Sequence, residues 1–112
     1  MPREPHAYLW DVHGAAALIA EFVAGRDFGD YKTDHMLKSA VERQFEIIGE
    51  ALNQLSRVDP ELAARIPNLG RLVAFRNILI HGYAIVDGEI VWGAATSRLP
   101  ALAAAVSELL DE

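Results

Sequence analysis

Apolar residues recur along this chain at steps of three and four almost from end to end, and no sustained every-second-residue alternation replaces that spacing. A period of this kind puts apolar side chains on one face of a helix, which confines the chain to helical folds. The first pattern is Tyr8, Leu9, Val12, Ala15, Ala16, Ile19, Phe22 and Val23, with Gly25 as its stop and Asp27–Tyr31 as a loop. Thr33 or Asp34 is placed to cap a long second helix ending near Ser56, whose inner face is Leu37, Ala40, Val41, Phe45, Ile48, Ala51, Leu52 and Leu55. Asp59-Pro60-Glu61 opens a short helix that Pro67 curtails. Asn68 is placed to cap the next helix, which runs through Leu72, Phe75 and Leu79 to Gly82. A last helix spans about Glu89 to Leu110, kinked or restarted at Pro100. The one strand candidate is Ala84–Val86 with Ile90–Trp92 around Asp87-Gly88. With no repeat or linker in 112 residues, the expectation is one domain over residues 1–112. Its fold class is all-α, an up-and-down bundle of four main helices plus a short one.

The absence of cysteine removes disulfides and thiolate metal sites. No apolar stretch is expected to approach the roughly 20 residues of a membrane helix, and Met1–His6 leads into no signal-like apolar region, so the expected location is cytoplasmic and away from membranes. A net charge of −6 argues against a broad cationic face for nucleic acid. Its distribution is uneven, however. Between Leu62 and Val86 there is no acidic residue, while Arg65, Arg71 and Arg76 all fall there. Arginine outnumbers lysine eight to two, which favours planar, two-pronged contacts with an anion over diffuse attraction.

The informative segment is Phe75-Arg76-Asn77-Ile78-Leu79-Ile80-His81-Gly82-Tyr83. Polar groups here interrupt a helix that is otherwise apolar. Asn77 and His81 are four apart and share a face, whereas Arg76 and His81 are five apart and roughly 140° apart around the axis. Taken singly, Arg76 reads as an ion-pair partner of a second-helix glutamate, with Glu50 as the candidate, and His81 as a helix C-terminal residue. Tyr83 alone reads as half-buried packing. Glu42, Glu46 and Glu50 form a four-residue ladder that reads as a solvated or arginine-paired face. Gly49 costs about 1 kcal/mol relative to alanine inside a helix, so it asks for a close approach, for example by a second copy of the chain. His6, His13 and His35 have no metal-ligand spacing, and Trp10 and Trp92 read as core or interface.

The spacing Arg76-Asn77, three apolar residues, His81, Gly82, Tyr83 resembles the motif of the HepT-like toxins of the HEPN superfamily. Tyr8–Val12 after Arg3, Val41–Ala51 and Val86–Trp92 are similar to that family's other segments, so the likeness covers nearly the whole chain. The resemblance implies a helical homodimer, or a higher assembly, with its arginine–histidine motifs in a cleft between protomers. It implies RNA as substrate, cleavage without metal or other cofactor, and Arg76 and His81 as the catalytic pair; the neighbouring Asn77 reads as a group that orients His81 or contacts phosphate, or else makes a local helix bond. It also implies a type VII toxin–antitoxin pairing, in which a nucleotidyltransferase antitoxin of the MntA kind transfers AMP onto the tyrosine, here Tyr83.

Elementary chemistry is compatible with that role. Cleavage through the ribose 2′-hydroxyl needs a base, an acid and a cation for the developing anion, which histidine and arginine supply near neutrality. In-line attack puts base and acid on opposite sides of phosphorus. Two copies of His81, one per protomer, reach both more readily than one does. The alternative is a non-catalytic helical dimer that uses the same cleft to bind a nucleotide or a partner protein.

Overall fold

In the computed structural model, which describes residues 3–82 and 87–112, every regular element is helical and no strand occurs among the described residues. Where the periodicity predicts four main helices and one short one, the described residues form seven α-helical segments and a π-helical turn. These are α1 (Pro5–Val23), α2 (Phe28–Thr33), α3 (His35–Val58), α4 (Pro60–Ala63), α5 (Leu69–His81), α6 (Gly88–Gly93), the π turn Ala94–Arg98, and α7 (Leu99–Asp111).

Local chemistry sets most of the boundaries. Gly25 follows the end of α1 at φ +72°, in the left-handed region that a side chain resists. The expected loop after it is instead α2, held by a reciprocal cap: Asp30 N–H donates to Asp27 Oδ1 at 2.8 Å and Asp27 N–H donates to Asp30 Oδ2 at 3.0 Å. A single turn is too short to show a period, so sequence spacing passes over it. Asp34 caps α3, accepting from Leu37 N–H at 3.0 Å, and Asp59 caps α4, accepting from Leu62 N–H at 3.0 Å. Asn68 does not cap α5 with its side chain. It sits before that helix at φ +60°, serving as a left-handed corner. Ile90–Trp92, expected as half of a strand pair, is helical within α6; Ala84–Val86 lies outside the described residues.

Pro100 stands in the first turn of α7, directly after the π turn. Its ring cannot follow a regular helix, because the N–H is missing and the preceding carbonyl is crowded. One wide turn absorbs that mismatch and lets the run continue. The run Gly88–Asp111, 24 residues with a mean hydropathy of 1.2 over its apolar window, is long and apolar enough to cross a bilayer by length and composition, contrary to the sequence expectation. Alanines between the charged residues raise its hydropathy. Its buried positions Val91, Ala94, Ala95, Leu99, Leu102, Val106 and Leu109 recur at helical steps and join the core.

The core lies where α1 packs between α3 and α7, with Leu9, Val12 and Ile19 meeting Val41, Phe45, Ile48, Leu52 and Leu55. Such side chains contribute about 1.5–3 kcal/mol each when fully buried. On the far side of α3 lies α5, pinned by an edge-to-face contact of Phe75 with Phe45 at 5.2 Å between centroids. Although its sequence is mostly apolar, α5 has no fully buried residue, and Ile78 is 58% exposed. Trp92 packs on the buried Tyr31, but Trp10 is 59% exposed and belongs to no core.

A candidate active site at the crossing of two helices

At the crossing of α3 and α5, Gly49 is buried and faces Arg76. A Cβ built on Gly49 would fall 2.2 Å from Arg76 Cβ and 2.8 Å from its Cγ. No such approach is possible for another residue, so the missing side chain is a notch that receives the arginine stem. The close approach expected at Gly49 is therefore real, but the chain's own α5 supplies it and not a second copy.

The next residue on α3 holds the arginine head. Arg76 Nη2 lies 2.7 Å from Glu50 Oε2, the ion pair anticipated for Glu50, and the Arg76 side chain is only 24% exposed. The pair touches without the alignment of a hydrogen bond, and Oε2 has no hydrogen-bond partner. From the other side, Arg76 Nη1 donates to Asn77 Oδ1 at 2.8 Å. Asn77 thus serves the arginine next to it, not His81, although spacing alone pairs Asn77 with His81.

His81 occupies the last turn of α5 and is exposed. Because α5 is helical through His81, the two predicted catalytic side chains leave the axis on different sides, as their spacing requires. Ala74, Ile78 and His81 form one stripe. The first two line a groove of about 390 Å³ between α5 and the C-terminal run, floored by Phe45, Leu72 and Phe75 and flanked by Arg71 and Arg98. Tyr83 lies outside the described residues.

A smaller cleft, about 170 Å³, opens on the α1 side of the same crossing and is lined by Arg3, Asp11, Arg43, Glu46 and Glu50 among others. Arg3 spans its mouth, 2.5 Å from Asp11 and with its guanidinium 5.2 Å from the centre of the Tyr8 ring. Among the described residues no three His, Asp or Glu side chains converge as metal ligands would, and His6, His13 and His35 stand apart.

Residues 12–109 match the family model described as ribonuclease HepT-like. The chain belongs to the HepT-like ribonuclease family. Family members similar to it include "Probable ribonuclease HepT" of Thermococcus cleftensis, 35% identical over 91% of this chain and 92% of that protein. Another is "Putative RNase TTE0752" of Caldanaerobacter subterraneus subsp. tengcongensis, 31% identical over 98% of this chain and 97% of its own. A third is "Putative RNase MJ1380" of Methanocaldococcus jannaschii, 31% identical over 88% of this chain and 89% of its own. No solved structure gives a significant match. The span matched by the HepT-like family contains every residue of the crossing, from Gly49 and Glu50 to Arg76, Asn77 and His81.

Sequence spacing did not disclose that α5 is uncovered. The signal available for it was α5's all-round apolarity, which asks for a second neighbour that the other described residues do not provide.

Proposed function

We propose that this chain is a metal-independent endoribonuclease, the toxin of a type VII toxin–antitoxin pair acting in the cytoplasm, with Arg76 and His81 as its catalytic residues. The observation that carries the reading is the HepT-like family membership combined with the seat built for Arg76 at Gly49 and Glu50, on the same helix that presents His81 to solvent. A guanidinium held in one place stabilises charge that develops on a phosphorane, because it need not reorganise as the reaction proceeds.

The reaction has two proton transfers. One His81 takes the proton of the ribose 2′-hydroxyl while that oxygen attacks phosphorus. The P–O5′ bond breaks as a second His81 protonates the departing 5′-oxygen, leaving a 2′,3′-cyclic phosphate and a 5′-hydroxyl. Each protomer has one motif, so the reading requires a homodimer with both copies of His81 facing one phosphate. The exposed Ile78, the neighbouring Ile90 at 57% exposure and the open groove support that assembly. A second copy seated there would dry this apolar surface and bring its own His81 stripe alongside. In this reading Tyr83 is the off-switch. An AMP group transferred to it by an MntA-like nucleotidyltransferase antitoxin places a phosphate and a purine where the RNA backbone would lie.

The test is cleavage of defined RNA oligonucleotides with a chelator present, comparing the wild type with Arg76→Ala and His81→Ala. Cyclic-phosphate ends from the wild type and a loss on the order of 10³-fold in each variant are expected. If the folded wild-type dimer binds RNA but never cuts it, the non-catalytic binding module is the correct reading. For the switch, mass spectrometry after incubation with the partner enzyme and ATP should place AMP on Tyr83 and find none on Tyr83→Phe.

A further inference from the structure

We propose that Glu50 is a positioning residue of the active site, one that fixes the direction in which Arg76 presents its guanidinium while lowering its hold on RNA in the ground state. This inference rests on the nuclease reading and adds to it a residue outside the arginine–histidine motif.

Gly49 and Glu50 act on different parts of the same side chain. The notch at Gly49 takes the Cβ and Cγ of Arg76, and the carboxylate of Glu50 meets its head 2.7 Å away. Asn77 holds the other terminal nitrogen at 2.8 Å. A guanidinium has five N–H donors in one plane. Restraint at the stem and at both terminal nitrogens fixes that plane, and the remaining donors keep a set direction for a phosphate. Without Glu50 the head keeps, among the described residues, only the tether to Asn77, its neighbour on the same helix, and can swing about its long stem.

Charge adds a second effect. Oε2 of Glu50 is buried against Arg76, but the side chain as a whole is 46% exposed, so the carboxylate lies at the edge of the solvent from which a phosphate arrives. The carboxylate therefore repels the substrate that Arg76 attracts. Removing the charge while keeping the length, as in Glu50→Gln, loosens the aim and strengthens the attraction together. Binding and turnover then move in opposite directions: a misaligned cation slows the chemical step, and an unneutralised one holds RNA more tightly.

The experiment measures steady-state cleavage of a short RNA by wild type, Glu50→Gln and Glu50→Ala. It adds nitrogen-15 NMR of the Arg76 Nε–H in the same proteins without RNA. In both variants kcat is expected to fall by about 10- to 100-fold, as a displaced catalytic group does. KM should fall by roughly 2- to 5-fold, as expected when a neighbouring like charge is lifted from a surface phosphate contact. A partly unfolded variant cannot lower KM, which separates positioning from a role in folding. The Arg76 Nε–H signal should exchange faster and shift in both variants but stay unchanged in Glu46→Gln, one turn away on the same ladder. Unchanged kcat, a raised KM, or an Arg76 signal indifferent to loss of Glu50 would each overturn the proposal. If the wild type cuts no RNA, the nuclease reading fails, and the NMR measurement still decides whether Glu50 orders Arg76.

Discussion

A glycine inside a helix normally weakens it, yet at Gly49 the absent side chain is what admits Arg76. The two opposing effects have comparable sizes. Alanine would favour the α3 helix by about 1 kcal/mol. Its Cβ would also sit 2.2 Å from Arg76 Cβ and 3.0 Å from the Leu72 carbonyl oxygen, so part of α5 must move outward. Overpacking of this kind costs about 1–3 kcal/mol, and contact with backbone puts the cost at the upper end. Gly49→Ala should therefore lower stability by about 1–2 kcal/mol in thermal unfolding and cut RNA turnover as well. Gly14→Ala, where the new methyl meets open space on α1, should instead raise stability by up to about 1 kcal/mol. Equal effects of the two substitutions would contradict the notch. From sequence alone, Gly49 announces that something comes close; which partner comes close is a tertiary fact.

At the scale of the element, α3 places three carboxylates at four-residue steps into different surroundings. Glu50 meets Arg76, whereas Glu42 is half-buried beneath α2 and has no cationic partner within ion-pair distance among the described residues. Burial chiefly pushes the Glu42 carboxyl above its ordinary 4.5; the charge of Lys38 opposes this and that of Glu46 adds to it. Burial of the ring, and after it the charge of Glu42, pushes the Tyr31 hydroxyl upward. Because the folded form of Glu42 holds its proton to higher pH than the unfolded form does, its contribution to stability is fully present below pH 4.5. That contribution is lost as pH rises through the folded pKa. Glu42→Gln should thus raise the unfolding temperature near pH 7 and match the wild type below about pH 4, following the linkage of proton binding to stability. A gap that persists in acid would assign the effect to packing. The even ladder is visible in the sequence. Its division into a half-buried carboxyl and an arginine clamp depends on where α2 and α5 lie across α3.

For the whole molecule the decisive feature is the surface left uncovered by α5 and the C-terminal run. Ile78 reaches 58% exposure on the stripe shared with His81, so placing a charge there should leave the single chain folded and disrupt the proposed dimer. Ile78→Asp is expected to sediment as a monomer, with circular dichroism unchanged and RNA cleavage reduced by at least about 100-fold, since one histidine cannot serve both sides of phosphorus. A monomeric variant that cuts RNA at the wild-type rate would leave the paired-histidine mechanism without support. Several features followed from sequence because they are local. A three-to-four-residue period makes helices, Asp34 and Asp59 start them, Gly25 follows the end of one and Pro100 disturbs another, and the spacing of Arg76, His81 and Tyr83 is itself covalent. The crossing of α3 and α5, the seat of Arg76 between Gly49 and Glu50, and the exposure of Ile78 required the fold. Each depends on which helix faces which, and a period gives the width of an apolar face without naming the surface that covers it.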